Sequence, residues 1–132
     1  MSDKKAVLVG LFQEHFDAEQ ANDIERTIRT LAPDIVYEHP FREHEPTIQG
    51  LDAVRAYYRR QWGGHPFQQI RIVRSWLSGD DTLLAETEAT VGAPDGSTKL
   101  IRNLAVGIFR DGLMVREIVY NGPYVDVPAS RA

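Results

Sequence analysis

Two side chains able to exchange protons stand two residues apart in the segment VYEHP, at Tyr37 and His39. Residues i and i+2 of a strand point to the same side, so the phenol and the imidazole share one wall. An imidazole takes or gives a proton near neutral pH. Beside a phenolic donor it could remove a proton next to a carbonyl while the phenol steadies the enolate oxygen. The plainer reading of His39 is a hydrogen bond to the loop that ends at Pro46. Glu117 lies between Val115 and Val119 and shares their side by alternation. A carboxylate among valines is either a buried acid of raised proton affinity or an outward residue with apolar neighbours. His15 falls on an apolar helical stripe, where a satisfied core histidine and a catalytic one are equally good readings. The catalytic set expected from the sequence is therefore His39, Tyr37, Glu117 and His15.

A second group would bind substrate. Asn103 is a polar residue two positions from both Ile101 and Ala105, suited to a substrate oxygen or to a structural bond. Trp62, Tyr58, Tyr57 and Trp76 would line or close a pocket, or simply pack the core. Glu86 and Glu88 share one strand face, opposite Ala85, Thr87 and Ala89. A solvated face suits at least one of them, and Glu88 is the one assigned to the pocket; a shared pocket would push the two proton affinities apart.

These residues need elements to hold them. Val7, Leu8, Leu11, Phe12, His15 and Phe16 recur at helical spacing. Asn22 and Glu25 have the spacing of a capping box, Ile24, Ile28 and Leu31 give a second stripe, and Pro33 closes that helix. Residues 35–37 have strand composition. A third helix follows Gly50, with Leu51, Val54, Tyr58 and Trp62 inward, and ends at Gly63, Gly64 and Pro66. The rest reads as strands over 67–77, 82–91, 99–109 and 113–120, joined by turns at 79–81, 93–96 and Asp111-Gly112. Helices segregated from a meander of strands predict one α+β domain over 1–132, with a curved antiparallel sheet and a loosely attached tail at 122–132.

Composition narrows the function. The 132 residues carry no cysteine, which removes disulfides, thiolate zinc sites and a cysteine nucleophile. Net charge is −4 with no basic block, against a nucleic-acid partner. No apolar run is long enough to span a membrane, and the N-terminus lacks the features of a signal peptide, so a cytoplasmic protein is expected. The stretch 38–45 holds several potential metal ligands, but its prolines and aperiodic spacing remove the two-histidine helix geometry, and no metal is expected. No glycine-rich phosphate loop or nucleophile elbow is present. No cofactor is expected.

The segments DIVYEHP (34–40), GLDAVRAYY (50–58) and FRDGLMVRE (109–117) resemble the SnoaL-like branch of the nuclear transport factor 2-like superfamily. That branch includes ketosteroid isomerases, polyketide cyclases, limonene-type epoxide hydrolases and scytalone-type dehydratases. The resemblance covers roughly residues 5 to 121 and implies a cone-shaped fold with one pocket for a small hydrophobic molecule. It places His39 where the isomerases carry a carboxylate base, and Tyr37 and His39 where the epoxide hydrolases carry a tyrosine and an asparagine. Glu117 falls at a catalytic aspartate of the epoxide hydrolases, whose arginine and second aspartate have no clear match. Asn103 lies on the strand where scytalone dehydratase carries a substrate-contacting asparagine. Ala105 stands in the place of the isomerases' oxyanion-hole acid and His15 near their tyrosine, so the chain departs from the isomerases at each catalytic place. The resemblance implies an acid–base isomerase, cyclase or lyase, with epoxide hydrolysis or a non-catalytic binding or adaptor domain as alternatives, and a homodimer through the outer sheet face.

Overall fold

The computed structural model describes residues 2–41 and 47–127. Among these, three helices cover one side of a seven-stranded sheet. The elements run α1 (Ser2–Gln20), α2 (Ile24–Ile28), β1 (Leu31–Glu38), β2 (Thr47–Gln49), α3 (Leu51–Gly64), β3 (Phe67–Ser78), β4 (Thr82–Gly92), β5 (Thr98–Arg110), β6 (Leu113–Asn121) and β7 (Val125–Asp126). The α+β class and the four long strands are as the sequence predicts. The spatial order is β2-β1-β6-β5-β4-β3, with β7 paired to β5. The sheet is mixed rather than purely antiparallel, because β1 runs parallel to β6.

Alternation along β4 sets the two faces. Leu83, Ala85, Ala89 and Val91 are buried with Thr87, while Leu84, Glu86 and Glu88 point the other way. Along β6 a bulge decides which side chains enter. Ile108 pairs with Arg116 but Phe109 pairs with Met114, so Val115 is the extra residue. Met114 and Glu117 therefore both face the core although they lie three positions apart. The inner face closes against Phe12 and Phe16 of α1, whose rings stack at 4.5 Å, and Phe12 meets Phe109 edge-on at 5.7 Å. Gly107 allows this approach: a Cβ there would lie 2.9 Å from the Phe109 ring and 3.0 Å from Phe12.

The second helix begins and ends differently from expectation. Asp23, not Asn22, caps α2, its carboxylate accepting from the Arg26 N–H at 3.0 Å. Asn22 sits at φ 53° and clasps Phe67 instead, donating to its carbonyl and accepting from its N–H, both at 2.8 Å. This side chain imitates a strand partner and ties the α1–α2 junction to β3. Pro33 does not close α2, which ends at Ile28. It lies in β1, within the stretch from Leu31 to Val36 where pairing with β6 shifts register. A residue with no N–H is tolerated where the ladder is already interrupted. Val7 is 60% exposed and lies off the buried stripe of α1. The tail is partly pinned, by pairing of Lys99 with Asp126 and Leu100 with Val125.

Candidate active site

Three strands carry polar groups into the hollow between sheet and helices. Tyr37 of β1 pairs in register with Glu117 of β6, which pairs in turn with Gly107 of β5. The phenol and the carboxylate thus lie side by side on the inner face. His39 follows Tyr37 by two residues on the same face, with ring centroids 4.6 Å apart. All three are buried and line one cavity. It encloses about 60 Å³, and about 650 Å³ of atom-free space once its open mouth is counted.

The imidazole of His39 is oriented by an amide chain. Nδ1 lies 3.1 Å from Asn121 Oδ1, and Asn121 Nδ2 donates to Asn103 Oδ1 at 3.2 Å. Because the Asn121 oxygen can only accept, His39 carries a hydrogen on Nδ1. Asn103 and Asn121 are register partners on β5 and β6, and Thr87 of β4 pairs with Asn103. These three line the cavity as a polar row across the sheet.

The second polar group sits beneath α1. His15 is fully buried, with Nε2 3.3 Å from Glu117 Oε1 and 3.6 Å from Glu19 Oε2. Glu19 and Glu117 both line the cavity. Burial alone works against charge on His15, but the carboxylates of Glu117 and Glu19 outweigh it and push the imidazole from its ordinary 6.5 to about 10. Burial raises the proton affinity of Glu19, with His15 opposing and the charge of Glu117 adding to the rise. Burial also lifts the Tyr37 phenol well above its ordinary value, and the Glu117 charge adds to it, so Tyr37 keeps its proton and can donate it in a hydrogen bond. The buried Oε1 of Glu117 has no hydrogen bond of good geometry among the described residues.

Of the residues expected to bind substrate, Tyr58, Trp62 and Asn103 line the cavity. Tyr58 and Trp62 stack at 4.6 Å along α3. Glu88 and Trp76 do not reach it. Glu88 lies on the outer face, held by Arg71 and Arg102, because alternation on β4 turns it away from Thr87 and Ala89. Hydrogen bonding to Arg102, then to Arg71, keeps its carboxyl below the usual range. Glu86 pairs with Arg74 and Arg102 on the same side. Trp76 is 47% exposed and pairs across strands with outward Leu84.

Sequence reasoning missed Glu19, Asn121 and Thr87. Glu19 is signalled by its i+4 spacing from His15 on the buried stripe, and Asn121 by its alternation with Glu117 and Val119. Thr87 is signalled by its place between Ala85 and Ala89. Residues 42–46, including Glu43, His44 and Glu45, lie outside the described residues. Among the described residues no three potential ligands cluster as a metal site, and no helix is long and apolar enough to cross a membrane.

The SnoaL-like domain family matches residues 12–117. The chain belongs to this family. Its cone is shared with a Δ5-3-ketosteroid isomerase from Mycobacterium sp., at TM-score 0.75 and 18% identity over 90% of this chain and 98% of that one. An LEH-like epoxide hydrolase of M. tuberculosis matches at TM-score 0.74 and 19% identity, over 89% and 84%. A candidate isomerase of Bacillus subtilis matches at TM-score 0.82 and 18% identity, over 91% and 89%. At these identities the likeness is one of fold. No curated protein matches the sequence. The solved structures that share this fold include isomerases and an epoxide hydrolase.

Proposed function

We propose that this SnoaL-like protein is a cofactor-free acid–base enzyme acting on a small, largely hydrophobic substrate that bears a carbonyl or hydroxyl. The observation that carries the reading is the convergence of Tyr37, His39 and Glu117 on one buried cavity. In this reaction His39 Nε2 takes a proton from carbon beside the carbonyl. The Tyr37 hydroxyl donates a hydrogen bond to the enolate oxygen. Glu117, backed by His15, supplies or accepts the second proton, which completes an isomerisation, cyclisation or elimination. Asn103 orients a substrate oxygen, with Tyr58 and Trp62 as the apolar walls.

The test uses 5-nitrobenzisoxazole, whose ring opens to a coloured phenolate when a base removes its C3 proton. Turnover above buffer that falls about 100-fold in His39→Ala is the expected result, the usual scale for loss of a general base. Turnover that is absent from the wild type, or unchanged in that variant, removes His39 as base.

A second reading rests on a separate observation: two carboxylates, Glu19 and Glu117, face the same cavity on either side of one imidazole. One of them could activate water while the other, protonated, donates to an epoxide oxygen. Diol formation from styrene oxide, lost in Glu117→Gln, would select this reading.

Pairing of two copies through the outer sheet face belongs to the same proposal. A groove of about 500 Å³ there is bordered by Trp76, Leu84, Leu104 and Tyr120. Light scattering on the eluted protein should show twice the 14.9 kDa chain mass; a single monomeric species refutes the pairing.

A further inference from the structure

The proton count behind the cavity can be followed atom by atom. The Thr30 hydroxyl donates to the Thr27 carbonyl at 2.6 Å. Its hydrogen is thereby committed, so its oxygen can only accept in the 2.7 Å contact with His15 Nδ1. His15 must then carry a hydrogen on Nδ1. The other ring nitrogen faces Glu117 Oε1 at 3.3 Å and Glu19 Oε2 at 3.6 Å, and no described donor completes Glu117 Oε1. Two carboxylates and one imidazole nitrogen are left facing one another in a buried space. A bare net negative charge there is costly, and two protons beyond that on Nδ1 are needed to bring the group to neutrality.

We propose that Thr30 and His15 are positioning residues that make Glu19 and Glu117 a proton-sharing pair, one carboxylate acidic and the other basic at neutral pH. This deepens the acid–base reading above and rests on it for its consequence in catalysis. The exchange balances through one nitrogen. His15 gives its Nε2 proton to Glu117, and Nε2 then takes the proton held by Glu19. The imidazolium is restored, and the net change is one proton moved from Glu19 to Glu117. A catalytic cycle that leaves Glu117 deprotonated can thus be reset from Glu19 without water entering the cavity. The groups facing His15 are Glu19 on its own helix, Glu117 from β6 and Thr30 from the α2–β1 turn. Tyr37 and Tyr58 stand close enough to feel both carboxylates.

The pair can be read without a substrate. Protein labelled with ¹³C at glutamate carboxyls and ¹⁵N at histidine rings is titrated by NMR from about pH 4 to about pH 10, spanning the ordinary carboxylate and imidazole ranges. Signals are assigned through Glu19→Gln and Glu117→Gln. The expected result is a His15 ring protonated on both nitrogens at about pH 7, together with one carboxyl of the pair that titrates above the ordinary carboxylate range. Glu19→Gln should abolish that late carboxyl titration and leave the ring doubly protonated. Thr30→Val should bring the His15 titration down by about a pH unit or more, since a buried hydrogen-bond partner of the charged form is lost, and Thr30→Ser should restore it. A His15 that is singly protonated at neutral pH, or two carboxyls that both titrate at ordinary values, overturns the proposal. Failure of 5-nitrobenzisoxazole turnover with the shared proton present would instead overturn the function alone.

Discussion

The two faces of the sheet treat the same chemistry in opposite ways. On the outer face Glu86 and Glu88 stand among Arg71, Arg74 and Arg102, partly wetted, each carboxylate matched by guanidinium. On the inner face Glu117 is 1% exposed and Glu19 is 5% exposed, and the imidazole of His15 faces both. Fixed, always-charged partners surround the outer acids, and hydrogen bonding to Arg102 and Arg71 keeps Glu88 ionised. The inner acids face a partner that can itself lose a proton, in a medium that penalises charge. An acid becomes useful for proton transfer when its surroundings leave its charge undecided, and residue type alone does not settle that.

The contrast should show most strongly in activity. Glu117→Gln keeps the shape of the inner acid and removes its proton exchange. Turnover of the substrate that proves active, whether 5-nitrobenzisoxazole or styrene oxide, should fall about 100-fold or more, while Glu88→Gln on the outer face leaves it unchanged. Equal effects in steady-state assays would erase the distinction.

Stability against pH separates the faces next. The folded protein holds the His15 proton up to about 10, whereas an unfolded histidine releases it near 6.5. Below 6.5 this contribution is fully present, and it is lost as pH rises through about 10. Burial-raised Glu19 acts in the same direction. Urea denaturation should therefore give a lower unfolding free energy at about pH 9.5 than at about pH 6.5, by a few kcal/mol at most. The lowered Glu88 acts oppositely: its contribution is present above the ordinary carboxylate range and fades as pH falls. Being wetted and screened, it should be weakened by salt where the inner effect is not.

The backbone beneath the inner acid offers a smaller effect. Gly107 pairs with Glu117 and lies under Phe12 and Phe109. Gly107→Val should destabilise by about 1–3 kcal/mol through overpacking, measured by thermal denaturation. The smallest effect is expected for Glu88→Ala, at about 1 kcal/mol or less for a surface ion pair. A larger loss would mean that the outer face is structural after all.

Much of this arrangement is legible in the residues. Strand composition and turn residues mark β3 to β6, the positive-φ turn at Asp111-Gly112 sits where the dipeptide predicts it, and Tyr37 and His39 share a wall as their spacing of two requires. The misplacements have physical causes. Glu88 and Trp76 are drawn to the cavity on paper because alternation says which residues share a face but not which face is buried. Pro33 reads as a helix stop because nothing beside it reveals that it will sit in an interrupted strand. The sheet reads as antiparallel because nothing local to β1 records the direction of its distant partner β6.

Local periodicity and composition were enough to establish the elements, the side chains that share a face where a strand is regular and the exclusion of cysteine chemistry; the bulge that takes Val115 out of step with Glu117 left no such mark. Packing alone brought Glu19 of α1 and Glu117 of β6 together across His15. Burial and charge pairing depend on which elements meet in space, and a contact between residues so far apart along the chain leaves no local pattern to read.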